Sequence, residues 1–155
     1  MAFTQTSKSA EIRARLDHPV IDADGHTVEC EPLFLDYLKQ VGGAAIAERY
    51  ATWMQQSGLA RWYNLTPVER LEKRATRPPW RGFPTKNTLD RATATLPKLL
   101  YERMEAFGLD FTILYPTQGL FFLHIGNEEM RRACCRALNH CHADIFGGYQ
   151  DRITR

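Results

Sequence analysis

No stretch of this chain approaches the roughly 20 consecutive apolar residues that a bilayer-spanning helix requires, so a membrane-embedded function is not expected. Charge of one sign is also lacking. Twenty Lys and Arg face eighteen Asp and Glu for a formal net charge of +2, too little to mark a nucleic-acid or anionic-membrane partner. The four cysteines, Cys30, Cys134, Cys135 and Cys141, contain no CxxC pair, which argues against a zinc ribbon or a redox dithiol. Met1 to Arg15 is polar and has no apolar signal-peptide core, so a cytoplasmic location with reduced thiols is expected. The Asn64-Leu65-Thr66 sequon is then accidental. What remains is 155 residues with 44% hydrophobic and 25% charged content, enough for one globular domain with its own core.

Residues 1–17 read as a frayed polar lead-in. His18 to His26 (HPVIDADGH) reads as a short buried strand, with Gly25 loosening the chain where a loop begins. A helix follows from Pro32, with Leu33, Phe34, Tyr37, Leu38 and Val41 at helical spacing and Gly42-Gly43 ending it. A second helical stretch covers Ala45 to Met54. Residues 58–90 show no sustained period and read as an irregular insertion rich in Pro, Arg and Lys, carrying Trp62, Trp80 and Phe83. Helical spacing returns at Leu96, Leu99, Leu100, Met104 and Phe107, and Gly108 is placed to cap it. Leu109 to Tyr115 is a second buried strand. Asn127 caps a long helix, with Glu128 and Glu129 near its positive end. Its apolar stripe runs through Met130, Ala133, Cys134, Ala137, Leu138, Cys141 and Ile145. Ile153 begins a third strand. Strands alternating with helices imply an α/β fold with parallel strands.

Asp24 and His26 stand two apart at the end of the first strand, so their side chains share one face there. Carboxylate oxygen and imidazole nitrogen both suit a divalent ion, and in parallel α/β proteins ligands lie beyond the carboxyl ends of the strands. The plainer reading of the same residues is a strand-end turn in which Asp24 caps loop amides and His26 is merely exposed.

Wider matches favour the metal. Val20-Ile21-Asp22-Ala23-Asp24-Gly25-His26, followed by Glu29 and Pro32, resembles the opening strand of the amidohydrolase-related family, which includes the aminocarboxymuconate-semialdehyde decarboxylase group. Members of that family begin with an HxH, ExH or DxH metal-binding pair. Met104 to Phe111 running into Leu114-Tyr115-Pro116-Thr117 resembles its helix-to-second-strand segment, with a GxD turn. Cys135 to Arg152, through Ala137-Leu138-Asn139 and Gln150-Asp151-Arg152, resembles the helix and "DR" lead-in to its next strand. The resemblance touches most of residues 18–155.

It implies a TIM-type (β/α)8 barrel with one catalytic divalent metal, commonly Zn2+ with Mn2+ as the alternative. Asp24 and His26 would be two of its ligands. Such members hydrolyse or decarboxylate small, often aromatic carboxylic acids. The family's other ligands, two His and an Asp, come from later strands that this sequence does not contain. A whole barrel takes roughly 250 residues, so the chain is expected to be the N-terminal portion of an incomplete barrel, inactive alone. The second reading is a non-catalytic partial-barrel remnant, or a partner subunit that docks on another chain. Self-association into a homo-oligomer is compatible with either.

Thr117 and Gln118 follow the second strand on the active-site face, where they would hydrogen-bond a substrate or simply form the turn after Pro116. The basic insertion is either a lid whose arginines receive a substrate carboxylate or a solvated packing element. The latter fits better, since no single Arg stands out. His140-Cys141-His142 is expected to be core packing with two flanking histidines, because i and i+2 lie about 200° apart on a helix. Cys134-Cys135 is likewise packing. His124 is expected to have no role, and His18 lies at the end of the first strand opposite the site.

Overall fold

Three parallel strands organise the chain, in the order β1-β2-β3, with helices making the connections. The structure is a computed structural model and describes residues 7–56, 65–72 and 87–155. The strands are β1 (Ile21–Thr27), β2 (Phe111–Pro116) and β3 (Ile153–Thr154). The helices are α1 (Lys8–Arg13), α2 (Glu31–Gly42), α3 (Ala44–Gln56), α4 (Pro67–Glu72), α5 (Thr88–Thr95), α6 (Pro97–Phe107) and α7 (Glu128–Phe146), with a 3-10 helix at Gly119–His124. The chain is therefore a mixed α/β protein with a small parallel sheet, as the alternation of strand and helix patterns implied.

The first strand starts later than the sequence suggested. His18 is exposed, and β1 begins at Ile21 and continues through Thr27. Its pairing with β2 runs from Ile21 opposite Phe111 to Thr27 opposite Pro116, with one irregularity between Asp22 and Gly25. There three residues of β1 advance against two of β2, which is a bulge. The Asp22 carboxylate supports it by accepting the Asp24 amide at 3.0 Å. Gly25 thus does not open a loop; it sits inside the strand. A Cβ there would come within 2.7 Å of Thr112 Oγ1, 2.8 Å of Leu114 Cδ2 and 3.0 Å of Ile113 O, so a larger residue would force the neighbouring strand's groups to shift.

Two apolar clusters hold the layers together. Phe34 and Leu38 of α2, Ile46 and Tyr50 of α3, Phe122 and Ile125 after β2, and Met130, Cys134 and Leu138 of α7 form the larger one. Met104 of α6, Leu114 of β2, Phe146 of α7 and Ile153 of β3 form the smaller, against the sheet. Helix α7 joins both, capped by Asn127 accepting the Met130 amide at 2.9 Å. The flanking histidines of Cys141 differ: His140 is exposed, whereas His142 is buried, with Nε2 unpaired and its ring edge-on to Phe146 at 5.5 Å. His142 stands four residues after Leu138 and so continues the apolar stripe.

Residues 7–17 of the lead-in are more ordered than their polarity indicated. Ser7 caps α1, accepting the Ala10 amide at 3.1 Å and donating to Ala106 O. Arg13 ion-pairs with Asp110, whose carboxylate also accepts the Val20 amide at 2.7 Å. The GxD and DR segments have structural work at this end of the sheet. Gly108 closes α6 at φ 72°, and Arg152 donates to the carbonyls of Leu109 at 2.6 Å and Asp110 at 3.0 Å. Asp151 accepts from the Tyr101 hydroxyl at 2.7 Å.

The stretch 58–90 also holds regular structure. A capping box starts α4, with Thr66 and Glu69 hydrogen-bonded in both directions, and Asn87 caps α5. Trp62, Trp80 and Phe83, and Asn64 of the sequon, lie outside the described residues.

Substituting Gly108→Ala is expected to cost about 1–3 kcal/mol, because it combines a left-handed backbone with a Cβ 2.6 Å from Ser9 O. An unchanged denaturation midpoint would contradict this. Burial, with Arg155 second, holds His142 down to about 4 from 6.5. The unfolded chain therefore takes up the proton first, and stability falls as pH drops from about 6.5 to about 4, by up to about 3 kcal/mol. Denaturant titrations across that window should show a shallower fall for His142→Leu than for the parent.

Candidate functional site

Parallel pairing brings the carboxyl ends of β1 and β2 side by side, with His26 in register with Tyr115 and Thr27 with Pro116. The ladder extends one step further, as the Thr117 amide donates to Thr27 O at 3.1 Å. Beyond the bulge burial alternates along the strand, with Gly25 and Thr27 buried and Asp24 and His26 exposed. The strand thus keeps the two candidate ligands on one open face, as their spacing implied.

Thr117 is only 3% exposed, and its hydroxyl lies 3.3 Å from His26 Nδ1 in a hydrogen bond. The Tyr115 ring tilts beside the imidazole, with centroids 6.2 Å apart. Gln118 is half-buried, and its backbone, not its side chain, has the defined partner. Glu29 accepts the Gln118 amide at 2.8 Å and the Gly119 amide at 3.1 Å. These are the first free amides of the 3-10 helix, so one carboxylate from the end of β1 fixes the chain leaving β2. All four sequence-derived candidates, Asp24, His26, Thr117 and Gln118, therefore gather at one end of the sheet. Glu29 is the residue that the sequence did not single out for a role. Its partners are 89 and 90 positions away, and no local pattern signals such a pairing.

A carboxylate and an imidazole are a donor set that Zn2+ or Mn2+ accepts. Thr117 can receive the Nδ1 proton of His26, which would leave the Nε2 lone pair for an ion. Asp24 and His26 thus fit a metal as part of a coordination sphere. They do not complete one, since among the described residues no group of three or more His, Cys, Asp or Glu could hold an ion.

Other candidates lie elsewhere. His18 pairs with Asp17 at 3.0 Å at the opposite end of β1, His124 ends the 3-10 helix exposed, and His140 is exposed on α7. All four cysteines are free thiols. Burial pushes Cys134 up to about 12 and Cys141 up to about 11, so neither supplies a thiolate near neutral pH. A cleft of about 390 Å³ between β1 and helices α5 and α6 reaches the site itself, lined by Asp22, Gly25, His26, Asp90, Thr93 and Leu114 among others. Asp90 and Thr93 are already engaged there by Arg103.

No known protein family, curated protein or solved structure matches the chain.

Replacing Glu29 by Ala should lower stability by about 1–3 kcal/mol, the cost of stripping a charged acceptor from two backbone amides. Equilibrium unfolding of this variant beside the parent measures it, and equal midpoints would show that the clasp is slack.

Proposed function

We propose that the chain is the N-terminal portion of a metal-dependent (β/α) barrel enzyme related to the amidohydrolases, hydrolysing or decarboxylating small carboxylic acids, aromatic ones among them. One observation carries this reading: Asp24 and His26 stand exposed on one face at the carboxyl end of a parallel strand, with His26 Nδ1 tied to the neighbouring strand end. In this reading the Asp24 carboxylate and His26 Nε2 are two ligands of a divalent ion, Zn2+ or Mn2+, held in a reducing cytoplasm. The ion supplies Lewis-acid chemistry, lowering the pKa of bound water to about 7 or polarising a bound carboxylate. The chain's own residues set the stage. Thr117 orients the imidazole, Glu29 holds the loop that carries Thr117 and Gln118, and the exposed Tyr115, Leu120 and Leu123 offer apolar surface at the same strand end. Gln118 is the side chain proposed to hydrogen-bond substrate there, with Thr117 beneath it. Catalytic ligands usually number three or more with a water, so the chain by itself is proposed to bind metal weakly and to lack turnover.

The second reading, a non-catalytic partner subunit that docks on another chain, is favoured by the exposed apolar side chains of Tyr115, Leu120 and Leu123.

Calorimetric titration with Zn2+ separates the two. The enzyme reading predicts one weak site that is lost in Asp24→Ala and in His26→Ala but retained in His140→Ala, whose histidine is exposed on α7. Equal binding by the His26→Ala variant and the parent, or none by the parent, would contradict it.

A further inference from the structure

We propose that Thr117 is a positioning residue for His26: its hydroxyl oxygen accepts the Nδ1 proton, so that the neutral ring keeps its lone pair on Nε2. The inference deepens the metal reading above and rests on it for its purpose, though not for its geometry.

A neutral imidazole carries one N–H, and the hydrogen bond made by one nitrogen decides the state of the other. Left to solvent, the ring prefers its proton on Nε2, the nitrogen that the metal reading needs free. A hydroxyl that accepts at Nδ1, with its own proton committed to another acceptor, reverses that preference. Thr117 is built for the role. It is 3% exposed, its amide is held by Thr27 O at 3.1 Å, and the next two amides are held by Glu29. The hydroxyl lies 3.3 Å from Nδ1, carried by a fixed backbone on the strand end adjacent to that of His26. A hydroxyl oxygen has two lone pairs, so it can accept from the ring while its own proton goes to another acceptor. Tyr115, in register with His26, stands beside the ring with centroids 6.2 Å apart. The arrangement resembles the outer hydrogen bonds that orient metal-ligating histidines generally, with a hydroxyl in the place more often taken by a carboxylate or carbonyl.

The test reads the tautomer directly. Long-range proton–nitrogen correlation spectra of the full, metal-free chain, labelled at histidine nitrogen and held at mildly alkaline pH, distinguish a protonated ring nitrogen from a bare one. The parent is expected to show His26 with Nδ1 protonated. Thr117→Val should move the proton to Nε2, and Thr117→Ser should return it to Nδ1. A parent ring protonated on Nε2, or a folded Val variant with the parent's tautomer, overturns the proposal. The parent spectrum decides even if the Val variant does not fold.

A zinc titration followed in the same spectra adds the functional arm, with Thr117→Val expected to bind about 10–100-fold more weakly than the parent and Thr117→Ser close to it. If the parent holds Nδ1–H but its His26 signals ignore zinc, the positioning stands and the metal reading falls. If zinc shifts His26 in a chain whose metal-free ring holds Nε2–H, the metal reading stands and the positioning falls.

Discussion

The space that Gly25 leaves empty is the constraint on which the site depends. With no side chain there, β1 approaches β2 until Thr112 and Leu114 occupy the volume a Cβ would need. The bulge just before it, supported by the Asp22 carboxylate, leaves Asp24 and His26 exposed. From that pairing follow the register of His26 with Tyr115, the step from Thr117 to Thr27, and the meeting of the Thr117 hydroxyl with the imidazole. A larger residue at position 25 would act on the site through the sheet rather than through any lost ligand.

The opposite ends of the strands are held by different chemistry. Asp110 gathers Arg13 and the Val20 amide, and Arg152 ties the end of the chain to the carbonyls of Leu109 and Asp110. The Arg13 guanidinium, then the Val20 amide, hold the Asp110 carboxyl below its ordinary value. Its stabilising contribution is thus present above the usual aspartate range and lost as pH falls through the lowered value. The motif-bearing residues divide cleanly: the GxD and DR segments serve stability at one end, and the DxH pair faces solvent at the other.

Helices α2, α3, α6 and α7 were legible because each is long enough to show an apolar stripe, and Pro32, Gly43, Pro97, Gly108 and Asn127 punctuate them. Helices α1, α4 and α5 are six to eight residues long, too short for a stripe. Their existence depends on caps and distant partners instead. The Thr66-Pro67-Val68-Glu69 box was the available local signal for α4, whereas the Arg13–Asp110 pair that anchors α1 spans 97 positions and has none. In the site, the shared face of Asp24 and His26 followed from strand period alone. The bulge was foreshadowed only by a glycine inside the strand pattern. The Thr117 and Glu29 contacts, 89 to 91 positions from their partners, emerge only once β1 and β2 are paired.

If the proposal holds, a metal binds at the open strand end and not at the thiols or the helix histidines. X-ray absorption at the zinc edge, on the full chain loaded with one equivalent of Zn2+, tests that assignment most directly. It should show a shell of nitrogen and oxygen at about 2.0–2.2 Å with no sulfur. Its imidazole contribution should disappear in His26→Ala. A sulfur shell at about 2.3 Å, or an imidazole signal unchanged in His26→Ala, would contradict it.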